Sequence, residues 1–400
     1  LPMLAYLCSK VAFNFLKVLN PTLNFQTGNL AALPWDSEKL KPYFNSLSDK
    51  AKQIIEIYGD DWNSVETSWE FKQPSILKTK EHGNLKLGFQ KLNYIHQANV
   101  EKVKALEEDI NTTFISAFHL QKEVTPNISL NEVSLFCNKS FRANDKIDWS
   151  EVLDEKQLKD NIFEFLSFSV GCMFGRYSLD KEGLILSSLD ESLESYLLRI
   201  PSPSFMPDED NVIPIIDFDG DWFEDDITER FKEFLKITFG EEYFIENLLF
   251  IEESIGKDVK KYFIKDFYAD HVKRYKKRPI YWMFSSPKGS FNALIYMHRY
   301  QPDTASIVLN DYLREFRTKL EARKENYEQV EISVSASQKD ITQAIKAIAK
   351  INKVLEEVND YEHDVLYPLA GKNIEIDLDD GVKHNYPLFG KALKKVTGLS

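Results

Sequence analysis

Between Leu309 and Val365 the apolar residues recur at intervals of three and four. Leu309, Leu313, Phe316, Leu320, Tyr327 and Val330 form one series, with Arg323 at its one polar position. Ala344, Ile348, Ile351, Leu355, Val358 and Val365 form a second, with Glu362 as its exception. Spacing of this kind puts one apolar stripe on each of two helices. The intervening "SVSAS" then turns the chain, which predicts an antiparallel helical hairpin with a coiled-coil-like seam over about 303–367. Upstream of it, "RPIYWMFSSPKGSFNALIYM" sets two aromatic and β-branched runs around Ser286-Pro287-Lys288-Gly289 and predicts a β-hairpin.

The rest of the chain reads as mostly helical. One amphipathic helix is expected over residues 3–19, ended by Pro21. "TLNFQTGNLAALPW" reads as a short extended stretch with a turn at Gly28-Asn29. A second helix is expected over about Lys39 to Tyr58 with Gly59 as its stop, and a long one over about Leu92 to Leu120. A loop at Pro126 and a strand in "NISLNEVSLF" follow. Further helices are expected near Glu155–Phe174, Trp222–Phe239, Glu242–Ile251 and Lys257–Tyr275. "IPSPSFMPDEDNVIP" carries Pro201, Pro203, Pro207 and Pro214 and reads as a linker or ordered loop without regular ladders. The fold class expected is mixed α/β and helix-rich (α+β). Its expected parts are 1–36, an α+β or helical 37–200, an α+β 201–302 with the β-hairpin, and 303–400 with the helical hairpin and a C-terminal extension.

With 400 residues, 43% hydrophobic and 28% charged, the chain can bury a core without disulfide or metal staples. Its net charge of −13 excludes a uniformly basic surface, so any nucleic-acid contact must be a local patch. Cys8, Cys137 and Cys172 match no metal or redox spacing and suit a reducing cytoplasm. The apolar opening segment is interrupted by Lys10, Asn14 and Lys17 and makes neither a membrane span nor a signal peptide. A start at Leu that runs straight into a structured pattern reads as a piece of a longer protein.

Several catalytic signatures are missing from the sequence. No two of the fifteen glycines are separated by a single residue, which excludes a standard G-x-G cofactor loop. Neither a P-loop nor a G-x-S-x-G elbow is present. "NPTLNFQ" approaches the Asn-Pro-Pro-Tyr loop that holds a flipped adenine, but Thr22 replaces the second proline and Leu23 the stacking ring. Asp217, Asp219 and Asp221 alternate as in a calcium loop, yet Trp222 stands where the glycine is needed and Thr228 where the bidentate Glu is needed. The stretch reads better as an acidic helix start. Asp258-Val259-Lys260 is the nearest approach to a nuclease motif, and it lies in a helical pattern far from Asp208 and Asp217.

One basic cluster stands out. Lys273, Arg274, Lys276, Lys277 and Arg278 gather at the end of a helix beside Tyr275, Tyr281 and Trp282. Cations interleaved with aromatic rings suit phosphate contact and base stacking. The same residues also suit a helix C-terminus followed by a core strand. In "GCMFGRYSLD", Gly171 and Gly175 allow close helix packing, with Arg176 and Tyr177 emerging at the helix end as further candidates for DNA contact.

"GCMFGRYSLDKEGLI", "YGDDWNSVETSWEF", "WFEDDITERFKEF", "RPIYWMFSSPKGSFNALIYMHRY" and "LDDGVKHNYPLFG" together resemble the C-terminal portion of PglX. PglX is the family of adenine-specific DNA methyltransferases of bacterial BREX phage-defence systems. The resemblance runs over about 1–400. It implies a parent that transfers a methyl group from S-adenosylmethionine to adenine N6, with both catalytic motifs upstream of this region. No catalytic or cofactor residue carries over, so this chain alone is expected to be inactive and to bind no cofactor or metal. Double-stranded DNA, other BREX defence proteins and phage-encoded inhibitors are the partners it implies, in a bacterial cytoplasm and away from membranes. The role left to this chain is DNA binding, site selection or complex assembly. A non-catalytic protein–protein docking module, with the helical hairpin as its surface, is the alternative.

Overall fold

The computed structural model describes residues 1–22, 24–142, 150–189, 191–218, 220 and 222–399. The chain is helix-rich with one small antiparallel sheet. It divides into two units, Leu1–Thr79 with Lys86–Asn161, and Lys80–Leu85 with Ile162–Ser400.

The first unit is built from helices. The expected opening helix is two, Pro2–Leu7 and Lys10–Leu19, because Ser9 leaves helical geometry and caps the second by accepting from the Ala12 N–H. Tyr6 then packs its ring 5.1 Å from Phe114 and 5.7 Å from Trp35, in a core with Val11, Leu47 and Ile110. Residues 27–31, expected to be an extended stretch with a turn, form a short helix. Gly59 does not stop its helix, Phe44–Trp62, which runs one turn further. The long helix is Leu85–Ala117. The strand expected in "NISLNEVSLF" is a 3-10 turn, Leu130–Glu132, in which Glu132 accepts from the Ser129 N–H. That local capping box competes directly with a ladder for the same donor.

The second unit is organised by the sheet. Strand β1 is Val212–Pro214, β2 Tyr281–Ser285 and β3 Asn292–Tyr296, in the order β1-β3-β2. The β-hairpin lies where the sequence places it, with Trp282 opposite Ile295 and Phe284 opposite Ala293. Strand β1 is a correction, because it comes from the proline-rich stretch expected to form no ladder. Pro214 is tolerated there because β1 is an edge strand, where a missing N–H breaks no ladder. All five residues of β2 and of β3 are buried, so the sheet is covered on both faces. Tyr281 and Trp282 point to opposite faces. Tyr281 lies 5.3 Å from Phe174 and 4.6 Å from His271, and Trp282 lies 5.6 Å from Tyr386 and 5.4 Å from Phe389.

The helical hairpin is Arg314–Ile332 and Gln338–Tyr361, each joined to a π-helical turn, at Val308–Leu313 and at Glu362–Leu366. Its two polar seam positions have partners. Glu362 accepts from Arg314 at 2.8 Å and pairs with Arg317, while Arg323 lies over the Trp222 ring at 5.4 Å. The strongest tie to the sheet is Glu357. Its carboxylate accepts from Ser286 Oγ at 2.6 Å, Lys288 N at 2.7 Å and Ser290 Oγ at 2.5 Å, all in the β2–β3 turn. Burial works to raise its pKa, but these hydrogen bonds prevail and hold it below the ordinary carboxylate value.

Hydrogen bonds to a charged group contribute about 1.5–3 kcal/mol each and leave costly orphans when one side is removed. Glu357→Ala therefore costs about 3 kcal/mol in urea unfolding at pH 7, and Glu357→Gln less. A depressed folded pKa stabilises above the unfolded value of about 4.3 and ceases to do so as pH falls through the folded value. The gap between wild type and Glu357→Gln closes correspondingly below pH ~4.

Candidate DNA-contact site

The helix Ser150–Met173 ends in a reversal that sets the site. Gly175 adopts φ +74° just beyond it, and Arg176 N–H returns to the Gly171 carbonyl at 2.8 Å. This is a left-handed helix stop, which glycine adopts without strain. Gly171 serves a different end from the helix packing expected of it. A Cβ there would lie 2.4 Å from Tyr177 Cδ2 and 3.2 Å from Tyr281 Oη, so the bare position seats the tyrosine ring. Arg299 holds the same end from β3's side, donating to the carbonyls of Phe174 (3.3 Å), Asp208 (2.8 Å) and Glu209 (2.9 Å).

Arg176 is half-buried. Its Nε donates to Tyr177 Oη and its Nη1 to Tyr296 Oη, both at 3.0 Å, and Tyr296 Oη donates on to the Leu186 carbonyl at 2.8 Å. The guanidinium lies 5.2 Å from the Tyr177 ring centre and 5.9 Å from that of Tyr296. Such cation–π contacts contribute roughly 0.5–2 kcal/mol each. No carboxylate pairs with it among the described residues.

The basic cluster sits on the helix Phe267–Arg274 and just beyond it. Lys273, Lys276, Lys277 and Arg278 are exposed. Lys276 and Lys277 both have positive φ, +51° and +63°, as the Lys277 N–H turns back to the Val272 carbonyl at 2.8 Å. Arg274 differs from its neighbours. It forms an ion pair with Glu164 and donates to the Phe163 carbonyl, which gives it a structural engagement.

The two candidate groups, nearly a hundred residues apart in sequence, meet through a series of rings. Tyr275 lies 4.8 Å from His271, His271 4.6 Å from Tyr281, Tyr281 5.5 Å from Tyr296, and Tyr296 beside Arg176. His271 and His298 are members that sequence reasoning missed. His271 Nε2 accepts from the N–H groups of Ile280 and Tyr281, both at 3.1 Å, and so fixes the start of β2. Its contacts at i+9 and i+10 follow no helix or strand period and gave no signal in sequence. His298 packs 4.8 Å from the Tyr296 ring. Burial first, then the charge on Arg176, pushes His298 down to about 4; burial, Arg274 and Arg176 likewise lower His271. The two N–H groups donated to His271 Nε2 require that nitrogen to be unprotonated, which makes the His271 ring neutral.

The other sequence candidates have local partners. Asn20 Oδ1 accepts from Thr22 N at 3.1 Å and from its hydroxyl at 2.8 Å, making a closed turn, while Leu23 lies outside the described residues. Asp219 and Asp221 lie outside them too. Asp226 and Asp258 cap helices, accepting from Thr228 N at 2.8 Å and Lys261 N at 2.7 Å. Among the described residues, no three His, Cys, Asp or Glu are placed to hold a metal ion, and no helix is long and apolar enough to cross a membrane.

By sequence the chain is related to adenine-specific methyltransferases. It is 33% identical over 413 aligned positions to adenine-specific methyltransferase BrxX of Escherichia coli O9:H4 (strain HS), covering 99% of this chain and 33% of that protein. It is 33% identical over 398 positions to adenine-specific methyltransferase PglX of Lacticaseibacillus casei (strain Zhang), covering 96% of this chain and 30% of that one. The resemblance to PglX is thus borne out, and the chain is related to one part of that family. It spans about a third of the length of the curated relatives it matches. No family model matches it.

The geometry separates charge from structure within the basic cluster. Arg274→Ala lowers stability by about 2 kcal/mol through loss of a charge-assisted hydrogen bond. Lys277→Gly removes a positive φ from a side-chain-bearing residue and leaves stability unchanged or raises it by up to about 1 kcal/mol. Thermal unfolding of the two variants checks the contrast.

Proposed function

We propose that this chain is the DNA-binding part of a site-specific N6-adenine DNA methyltransferase of the BREX anti-phage type. It forms the C-terminal portion of such an enzyme and acts in the bacterial cytoplasm. The observation that carries the reading is the cluster of Lys273, Lys276, Lys277 and Arg278, exposed at one helix end on a chain of net charge −13. Four such cations beside Tyr275 form a patch fit for a duplex backbone. Support for the enzyme class comes from the two methyltransferases to which the chain is similar.

In this reading methyl transfer and S-adenosylmethionine belong to the rest of the enzyme, and this chain supplies grip and orientation. Phosphate contacts fix register on the duplex, and base-edge contacts elsewhere select the site. The chain alone binds no S-adenosylmethionine and transfers no methyl group. Other proteins of the defence system and phage-encoded inhibitors are further partners under the same proposal.

The second reading is a docking module. It draws on the hairpin tip, where Ile332 is 73% exposed and Val334 fully so. A salt titration of duplex binding separates the two. The DNA reading predicts log K falling linearly with log salt, and replacement of Lys273, Lys276 and Lys277 by Glu flattening the slope by about two to three. Undiminished binding in the triple variant, or no binding by the wild-type chain, defeats it in favour of docking.

A further inference from the structure

We propose that Arg176 is the seat of a phosphate-binding recess, which takes one backbone phosphate of the DNA held by the lysine rim. The proposal deepens the DNA-binding reading by giving the recess a single ligand chemistry.

Around Arg176, one guanidinium nitrogen and two buried imidazole nitrogens are without partners among the described residues. Its Nε and Nη1 are taken up by two tyrosine oxygens, and Nη2 has no partner among the described residues. His271 accepts two backbone N–H groups at Nε2, so its proton must sit on Nδ1, and that buried Nδ1–H has no partner. His298 Nδ1 is also buried without a partner. All three groups belong to the same ring-to-ring series.

Buried polar groups are ordinarily paired, and a desolvated cation is ordinarily compensated by an anion. The acidic groups nearby are committed elsewhere. Glu164 pairs with Arg274, and Glu191 pairs with Arg199 and accepts from the N–H groups of Ser187 and Ser188. What the recess lacks is an anionic oxygen. A phosphate supplies several, and the guanidinium fork is the side chain best matched to it. The exposed lysines around Tyr275 would draw a polyanion to this end of the helix, which favours a phosphate that is part of a nucleic acid.

The test is isothermal titration of the chain with inorganic phosphate, and separately with a DNA duplex, for wild type, Arg176→Gln and His298→Gln. Near-UV circular dichroism checks each fold. The expected result is phosphate binding weakened at least tenfold by Arg176→Gln and less by His298→Gln. DNA affinity falls in Arg176→Gln, with the salt slope reduced by about one. If Arg176→Gln loses phosphate but binds DNA as wild type does, a free phosphate group is the ligand and the DNA assignment of the recess is overturned. Equal phosphate binding by folded wild type and Arg176→Gln overturns the site itself, whatever the lysine variants show about DNA. Should Arg176→Gln fail to fold, unaltered phosphate and DNA affinity in His298→Gln does the same.

Discussion

The second unit depends on one buried carboxylate. Glu357, on the second helix of the C-terminal hairpin, holds the β2–β3 turn through two serine hydroxyls and a backbone N–H. The turn closes on itself through the Gly289 N–H to the Ser286 carbonyl at 2.8 Å, with Gly289 at φ +76°, but leaves the Lys288 N–H and the Ser290 hydroxyl to Glu357. An external acceptor completes it and fixes its orientation against the helix. One turn of helix further on, Tyr361 donates to the Ala392 carbonyl, and the adjoining residues 393–394 bridge back to β2 at Phe284 and Met283. Helix, turn and C-terminal extension thus close on a single strand.

That strand carries the site. Because neighbouring residues of a strand face opposite sides, anchoring β2 places Trp282 among Tyr386 and Phe389 and presents Tyr281 to Phe174, His271 and Tyr296. Strand β3 adds Tyr296 for Arg176 and leads into Arg299, which satisfies carbonyls at the end of the helix Ser150–Met173. The chain therefore brings residues near 176 and residues near 275 together by packing both against one hairpin.

The parts legible in the sequence are those whose signal is periodic. The helical hairpin and β2–β3 follow from spacing alone, and even the polar exceptions at Arg323 and Glu362 mark positions with dedicated partners. Strand β1 was illegible because proline propensity opposes it, and only the edge position in the finished sheet removes the penalty. The break at Ser9 was missed because the apolar pattern continues across it while the capping hydroxyl ends one helix and starts the next. Within the site, the lysines were visible as a run, but Arg274 could not be told from its neighbours until Glu164 appeared beside it. His271 and His298 are single residues whose roles arise from contacts across the fold, which no local pattern records.

The central claim is that DNA lies along the end of the helix Phe267–Arg274, close to Tyr275 and Arg176. Photo-cross-linking of the chain to bromouracil-substituted duplex, followed by peptide mapping, tests it most directly. The account predicts adducts concentrated in residues 273–278, where Lys273, Lys276, Lys277 and Arg278 are exposed. Adducts confined to the helical hairpin over 314–361, with none in those residues, would contradict it.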